Sequence, residues 1–253
     1  MKKRRLRALV VGFSAAIVWP LLIHGQEKIS LKDVIEKNLQ ASGGREKLAQ
    51  IQNISFKAGN ALYYASSSGE LKLLAGKGSV PTEIVLVSGG KVQKSSSGQI
   101  SDLTGIPGAL NQTLGKLFGG AFSLLKFEGG LEFRGLKTYG PEKLYHLTTK
   151  IEPLEVGLFV RAEDFFLKRL VLQGKTPEGD KYEVNYDFAP FEEAEGLKLP
   201  LSWFSSQVGT RGTLFELSEI KINQPLDKDF FSKLDAMDPP PARSLTSAPN
   251  EKT

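Results

Sequence analysis

The chain has 253 residues, with 33 Lys plus Arg against 28 Asp plus Glu and a formal net charge of +5. Five of the bases, Lys2, Lys3, Arg4, Arg5 and Arg7, precede the first acid, Glu27, so the rest is balanced at 28 against 28. A balanced body lacks the positive field that draws a phosphate backbone, which excludes nucleic acid as the expected partner. The absence of Cys excludes disulfides, thiol catalysis, zinc–thiolate sites and a lipidated N-terminal cysteine, and two histidines, His24 and His146, are too few for a multi-imidazole metal centre. No cofactor is expected.

The basic start is followed by an apolar run over residues 9–23 and then by Gly25, the pattern of an export signal cut after Gly25. This places a signal peptide at 1–25 and the body in the periplasm. Ile23 is larger than the usual small residue three before the cut, so an uncleaved N-terminal anchor is the alternative. The apolar run is short against the roughly 20 residues of a bilayer span.

Next comes a helix. Ser30 and Asp33 have capping-box spacing, Leu31, Val34, Ile35 and Leu39 recur at helical spacing, and Gly43 and Gly44 end the run. A short helix over 45–51 follows. From residue 54 the period changes to two, predicting strands at 54–64, 70–75, 83–88 and 91–94, the last two joined by the hairpin signal Gly89-Gly90.

Residues 102–128 interrupt the strands. Leu110, Leu114, Leu117, Phe118, Phe122 and Leu125 are apolar at helical spacing, with Thr104 as a possible cap. Gly115, Gly119 and Gly120 lie within the stretch, each costing roughly 1 kcal/mol relative to Ala in a helix interior. Three readings fit: a core helix in two pieces, a movable cover over an apolar cavity, or an interfacial membrane helix.

Further strands are predicted at 131–139, 144–152, 157–163, 166–173, 181–188, 197–204 and 213–222. The clearest is 181–188, where Tyr182, Val184, Tyr186 and Phe188 alternate with Lys181, Glu183, Asn185 and Asp187, giving one dry and one wet face. A helix over 227–237 is expected to pack Phe230, Phe231 and Leu234 on the sheet, and 238–253 is a polar, Pro-rich tail expected to be disordered. The fold class is therefore mainly β (α+β): a single domain over 26–237, with one large curved antiparallel sheet, an N-terminal helix and covering helices.

The run 34–51, containing Ala41-Ser42-Gly43-Gly44, together with Ile54-Ser55-Phe56-Lys57-Ala58-Gly59, resembles the start of exported outer-membrane lipoprotein-sorting-like proteins of the LolA/LolB lipoprotein-carrier superfamily. Gly135, the 144–151 strand, Phe166-Leu167-Lys168-Arg169-Leu170, the 182–186 strand, Gly196-Leu197-Lys198-Leu199-Pro200 and Ile220-Lys221-Ile222-Asn223 continue it over most of the mature chain. The resemblance implies a half-open β-barrel whose helices cover an apolar cavity that holds acyl chains. Two departures stand out: the lipidated Cys of anchored members is missing, and no residue matches the Arg with which the soluble carrier holds its lid closed.

The expected cavity residues are Phe56, Leu62, Leu86, Leu114, Phe118, Phe122, Phe159, Tyr182, Val184 and Tyr186. The expected partner is a lipid or an acylated lipoprotein, bound by a monomer without catalysis and with transient membrane contact. The alternative is an envelope-stress regulator whose LolA-like domain contacts an envelope protein. Catalytic groups are scarce: His146 reads as a structural side chain, no Gly-x-Ser-x-Gly elbow occurs, and Glu192, Glu193 and Glu195 read as a solvated loop.

Overall fold

The computed structural model describes residues 29–76 and 80–234. The leader expected at 1–25 and the tail expected at 238–253 lie outside the described residues. Helix α1 (Leu31–Ala41) starts where the sequence places it, with the Asp33 amide donating to the Ser30 hydroxyl and the Ser30 amide donating to the Asp33 carboxylate. Those bonds hold the Asp33 carboxyl below the ordinary carboxylate range. Its apolar stripe of Val34, Ile35 and Leu39 is buried, and Gly43, at a φ of 128° and against Leu197, turns the chain into α2 (Arg45–Ala49).

The first six strands form a meander of β1 (Asn53–Ala58), β2 (Ala61–Ser66), β3 (Leu71–Ala75), β4 (Glu83–Ser88), β5 (Lys91–Ser96) and β6 (Gln99–Asp102). Helix α3 (Gly105–Gly119) and a 3₁₀ turn (Glu128–Gly130) follow. The chain then makes β7 (Glu132–Tyr139), β8 (Glu142–Ile151), β9 (Leu154–Arg161), β10 (Leu167–Lys175) and β11 (Lys181–Phe188). Last come β12 (Phe191–Ala194), β13 (Leu197–Pro200), β14 (Ser202–Gln207) and β15 (Thr213–Ile222).

Among the described residues, thirteen strands form one antiparallel sheet in the order β6-β5-β4-β3-β2-β1-β15-β14-β11-β10-β9-β8-β7, while β12 and β13 pair separately. The last long strand joins the first, Ile222 opposite Ile54 and Leu217 opposite Ala58, so the two meanders share one surface. Strands β6 and β7 remain edges, and the barrel stays half-open. The concave side carries the core, which α3 enters, touching β1 to β5 on one flank and β8 and β9 on the other.

Several boundaries differ from the sequence expectation. Residues 54–64 are two strands, because Gly59-Asn60 makes a two-residue hairpin between β1 and β2. The expected 197–204 strand breaks into β13 and β14, and the Glu192–Glu195 loop is partly the β12 hairpin arm, with Glu193 facing Lys198 at 3.5 Å. The helix expected at 227–237 is replaced, as far as residue 234, by successive turns, Phe230 to Asp227 and Ser232 to Asp229. There the Phe230 carbonyl accepts from Lys72 instead of from a following helical turn, and the Phe230 ring lies on Tyr64 at 4.8 Å.

Candidate apolar binding cleft

Register assigns each side chain to a face. Phe56, Tyr63, Leu73 and Val85 lie opposite one another across β1 to β4 and face the concave side; Lys57, Leu62, Leu74 and Ile84 form the alternate, convex row. On the other half, Trp203 pairs with Phe188 and Phe215, and Ser205 pairs with Tyr186 on the same concave surface. Tyr186, Leu170, Leu158 and Leu147 continue it across β11 to β8.

Helix α3 and residues 120–127 fill this hollow. The Phe118 ring meets Phe56 edge-on at 5.0 Å and stacks on Trp203 at 5.8 Å, while Phe122 reaches Phe56 at 5.7 Å and Phe188 at 5.9 Å. Phe56, Phe118, Phe122, Leu117 and Leu124 are all buried. Ala121 and Phe122 both adopt positive φ, 50° and 58°, a conformation that disfavours a Cβ and that the surrounding ring contacts hold in place.

The glycines of α3 have a different role from the one their helix propensity suggests. A Cβ on Gly119 would overlap the Ser66 carbonyl oxygen, one on Gly115 the Gly69 carbonyl oxygen, and one on Gly108 would stand 2.5 Å from the Leu103 oxygen. Gly115 and Gly119 form a flat face against the β2–β3 turn, and Gly108 lies against the connection from β6. Close backbone approach seats the helix there, a role that the helix-propensity cost of these glycines does not report.

Asn38, fully buried on α1, ties the segment after α3 to its surroundings. Its side-chain amide donates to the Phe165 carbonyl at 2.8 Å, and its oxygen accepts from the Leu124 amide at 2.8 Å. Asn38→Ala orphans a donor and an acceptor, each costing about 1–3 kcal/mol when buried. The expected result is a loss in that range or above on urea denaturation, with faster hydrogen exchange at the Leu124 amide. On the surface, Arg45 pairs with Glu36 at 2.6 Å and with Glu128 at 2.7 Å, bridging the α1–α2 corner to the 3₁₀ turn. Such solvated pairs add orientation more than stability.

Seven of the ten expected cavity residues belong to this region: Phe56, Leu114, Phe118, Phe122, Tyr182, Val184 and Tyr186. The other three, Leu62, Leu86 and Phe159, face the convex side. Leu62 opposes Lys57 because the two-residue turn after β1 inverts the parity of β2. Leu86 opposes Lys72 on a strand, Ile84-Val85-Leu86-Val87, that is apolar on both faces. Phe159 stacks on His146 at 4.3 Å with the rings 4° apart. His146 thus belongs to the convex face, where burial, followed by Lys137 and Arg134, lowers its pKa.

The sequence reading missed Tyr63, Trp203, Ser205 and Phe215. Tyr63, Tyr182 and Tyr186 are half-buried on the concave side, and Tyr186 lies within electrostatic range of the other two and beside the Ser205 hydroxyl. Burial pushes the Tyr63 phenol up to about 12, moves Tyr182 upward and moves Tyr186 further still. A phenol raised in the fold above its ordinary value of 10.0 contributes stability present below pH 10 and lost as pH climbs toward 12. Urea midpoints are therefore expected to fall over that interval, and Tyr63→Phe is expected to flatten the fall.

No protein-family model and no curated protein sequence matches the chain. Among solved structures, it is similar to a LolA superfamily protein from Nitrosomonas europaea, with a TM-score of 0.50 and 14% identity over 80% of this chain and 97% of that one. It is also matched to a DUF1329 family protein from Desulfovibrio piger at a TM-score of 0.49 and 11% identity, covering 81% and 98% of the two chains. A third match is the lipoprotein LppX of Mycobacterium tuberculosis, at 0.30 and 9%, covering 78% and 99%. The class is a half-open antiparallel barrel with a helix seated in its hollow. The fold is LolA-like.

Proposed function

We propose that the protein is an exported, non-catalytic periplasmic binding protein that holds an acyl chain of a lipid or lipoprotein on the concave face of the half-barrel. One observation carries this reading. The aromatic and aliphatic surface inside an unclosed sheet is covered by an inserted segment, α3 and residues 120–127, and not by a second wall of the sheet. Binding exchanges one apolar filler for another: Phe118 and Phe122 leave the hollow and an acyl chain takes their place. Ten methylenes contribute roughly 8 kcal/mol at about 0.8 kcal/mol each. Exposing two phenylalanines costs about 1.5–3 kcal/mol apiece, so a long chain retains a surplus while a short one does not. Because the gain is a difference, release needs no chemistry.

Native mass spectrometry of the protein purified from its own envelope tests the proposal, together with titration by the apolar probe N-phenylnaphthylamine. Co-purified lipid and saturable probe binding are expected, with hydrogen exchange over 114–125 rising on binding. A bare protein that ignores the probe would sink the carrier reading, and one carrying a stoichiometric envelope protein would favour the regulator.

A further inference from the structure

The concave face carries polar groups of one chemical kind. Tyr63 on β2, Tyr182 and Tyr186 on β11 and Ser205 on β14 present hydroxyls among Phe56, Trp203 and Phe215. Ser205 pairs with Tyr186 across β14 and β11, and Tyr186 lies within electrostatic range of Tyr63 and Tyr182. Every Lys, Arg, Asp and Glu on β1, β2, β3, β11, β14 and β15 faces away. Lys57 pairs with Glu219, Lys181 with Glu183 and Asp187 with Arg169 on the convex side, where register also places Lys72, Glu216 and Lys221. On the neighbouring strands, the concave cation Lys94 is already neutralised by Glu83 at 2.6 Å.

We infer that this hydroxyl cluster recognises the ester carbonyls of a neutral acylglycerol-type lipid and discriminates against phosphate or carboxylate head groups. The inference rests on the proposed acyl-chain site and adds the chemistry of its polar end. Phenols are donors that remain neutral, and an ester carbonyl is an acceptor that needs no counter-charge. Moving a phosphate among these rings would strip its water without supplying a cation, whereas an ester oxygen gives up little hydration and gains one or two hydrogen bonds. Ester groups also sit directly at the head of the acyl chains, as the phenols sit directly beside the aromatic lining.

Competitive displacement of N-phenylnaphthylamine by dioctanoylglycerol and by dioctanoyl phosphatidic acid tests this on the wild type and on the Tyr63→Phe/Tyr186→Phe double variant. Wild type is expected to prefer the neutral lipid, and in the double variant the ratio of affinities for dioctanoylglycerol and for the probe is expected to fall about tenfold. If the double variant does not fold, Tyr182→Phe is read in the same way, with a smaller selective loss expected. Tighter binding of phosphatidic acid, or equal dioctanoylglycerol affinity in wild type and variant, would overturn the inference and leave the apolar site intact. Failure of the wild type to bind the probe would remove the site and the inference together.

Discussion

Gly119→Ala is expected to destabilise the protein by about 1–3 kcal/mol, the range for forcing extra volume into a packed interior, and to fall at the upper end. Helix propensity alone gives the opposite sign, since Ala in a helix interior is worth about 1 kcal/mol over Gly. The geometry decides between them. The added Cβ would overlap the Ser66 carbonyl oxygen, a backbone atom in a turn whose Ser66 and Glu70 backbones are already bonded to each other and cannot rotate aside. Gly115→Ala meets the Gly69 carbonyl in the same way. Urea denaturation gives the answer as a lowered midpoint at unchanged slope. Gly129→Ala is the control: it has open space around it and no positive φ, so its effect is expected to stay within about 0.5 kcal/mol. A stabilised Gly119→Ala protein would mean that α3 is loosely held and that its glycines do lower the cost of moving it.

The elements were legible wherever one pattern dominated. Ser30 and Asp33 marked the start of α1, and the strict alternation in Lys181–Phe188 gave both the strand and its dry face. Legibility failed where two faces are both apolar or where a turn hides inside a run. Gly59-Asn60 lies between Phe56 and Tyr63, and reading through it puts Leu62 on the inner face and loses Tyr63, because a one-residue change of register exchanges the faces. Strand β4 gives no periodic signal, since its outer face is covered as well as its inner one and both Val85 and Leu86 are buried. Trp203 was hidden by the break between β13 and β14. Gly115 and Gly119 were visible as residues, but their role depends on a distant hairpin tip, Gly69 and Ser66, and no local pattern reports such a contact.

Phe118→Ala is expected to cost about 3–5 kcal/mol of stability, the range for truncating a buried phenylalanine, and at the same time to strengthen binding of a small apolar probe. The two effects share one cause. Phe118 contacts Phe56, Tyr63, Phe122 and Trp203, so its removal opens a space walled by rings that have few ways to collapse inward. A dry apolar cavity of this kind accepts a small apolar ligand. In wild type the probe must first displace Phe118; in the variant it fills a space already made, and the displacement cost disappears from its apparent affinity. Trp203, which loses its stacked partner, reports the change directly through its fluorescence. Leu62→Ala, on the convex face, is expected to leave probe affinity unchanged. Probe titration at a urea concentration where both proteins remain folded separates binding from stability. Lost stability with unchanged probe affinity would identify the region beneath α3 as solid core, and the acyl-chain site would then have no place on the concave face.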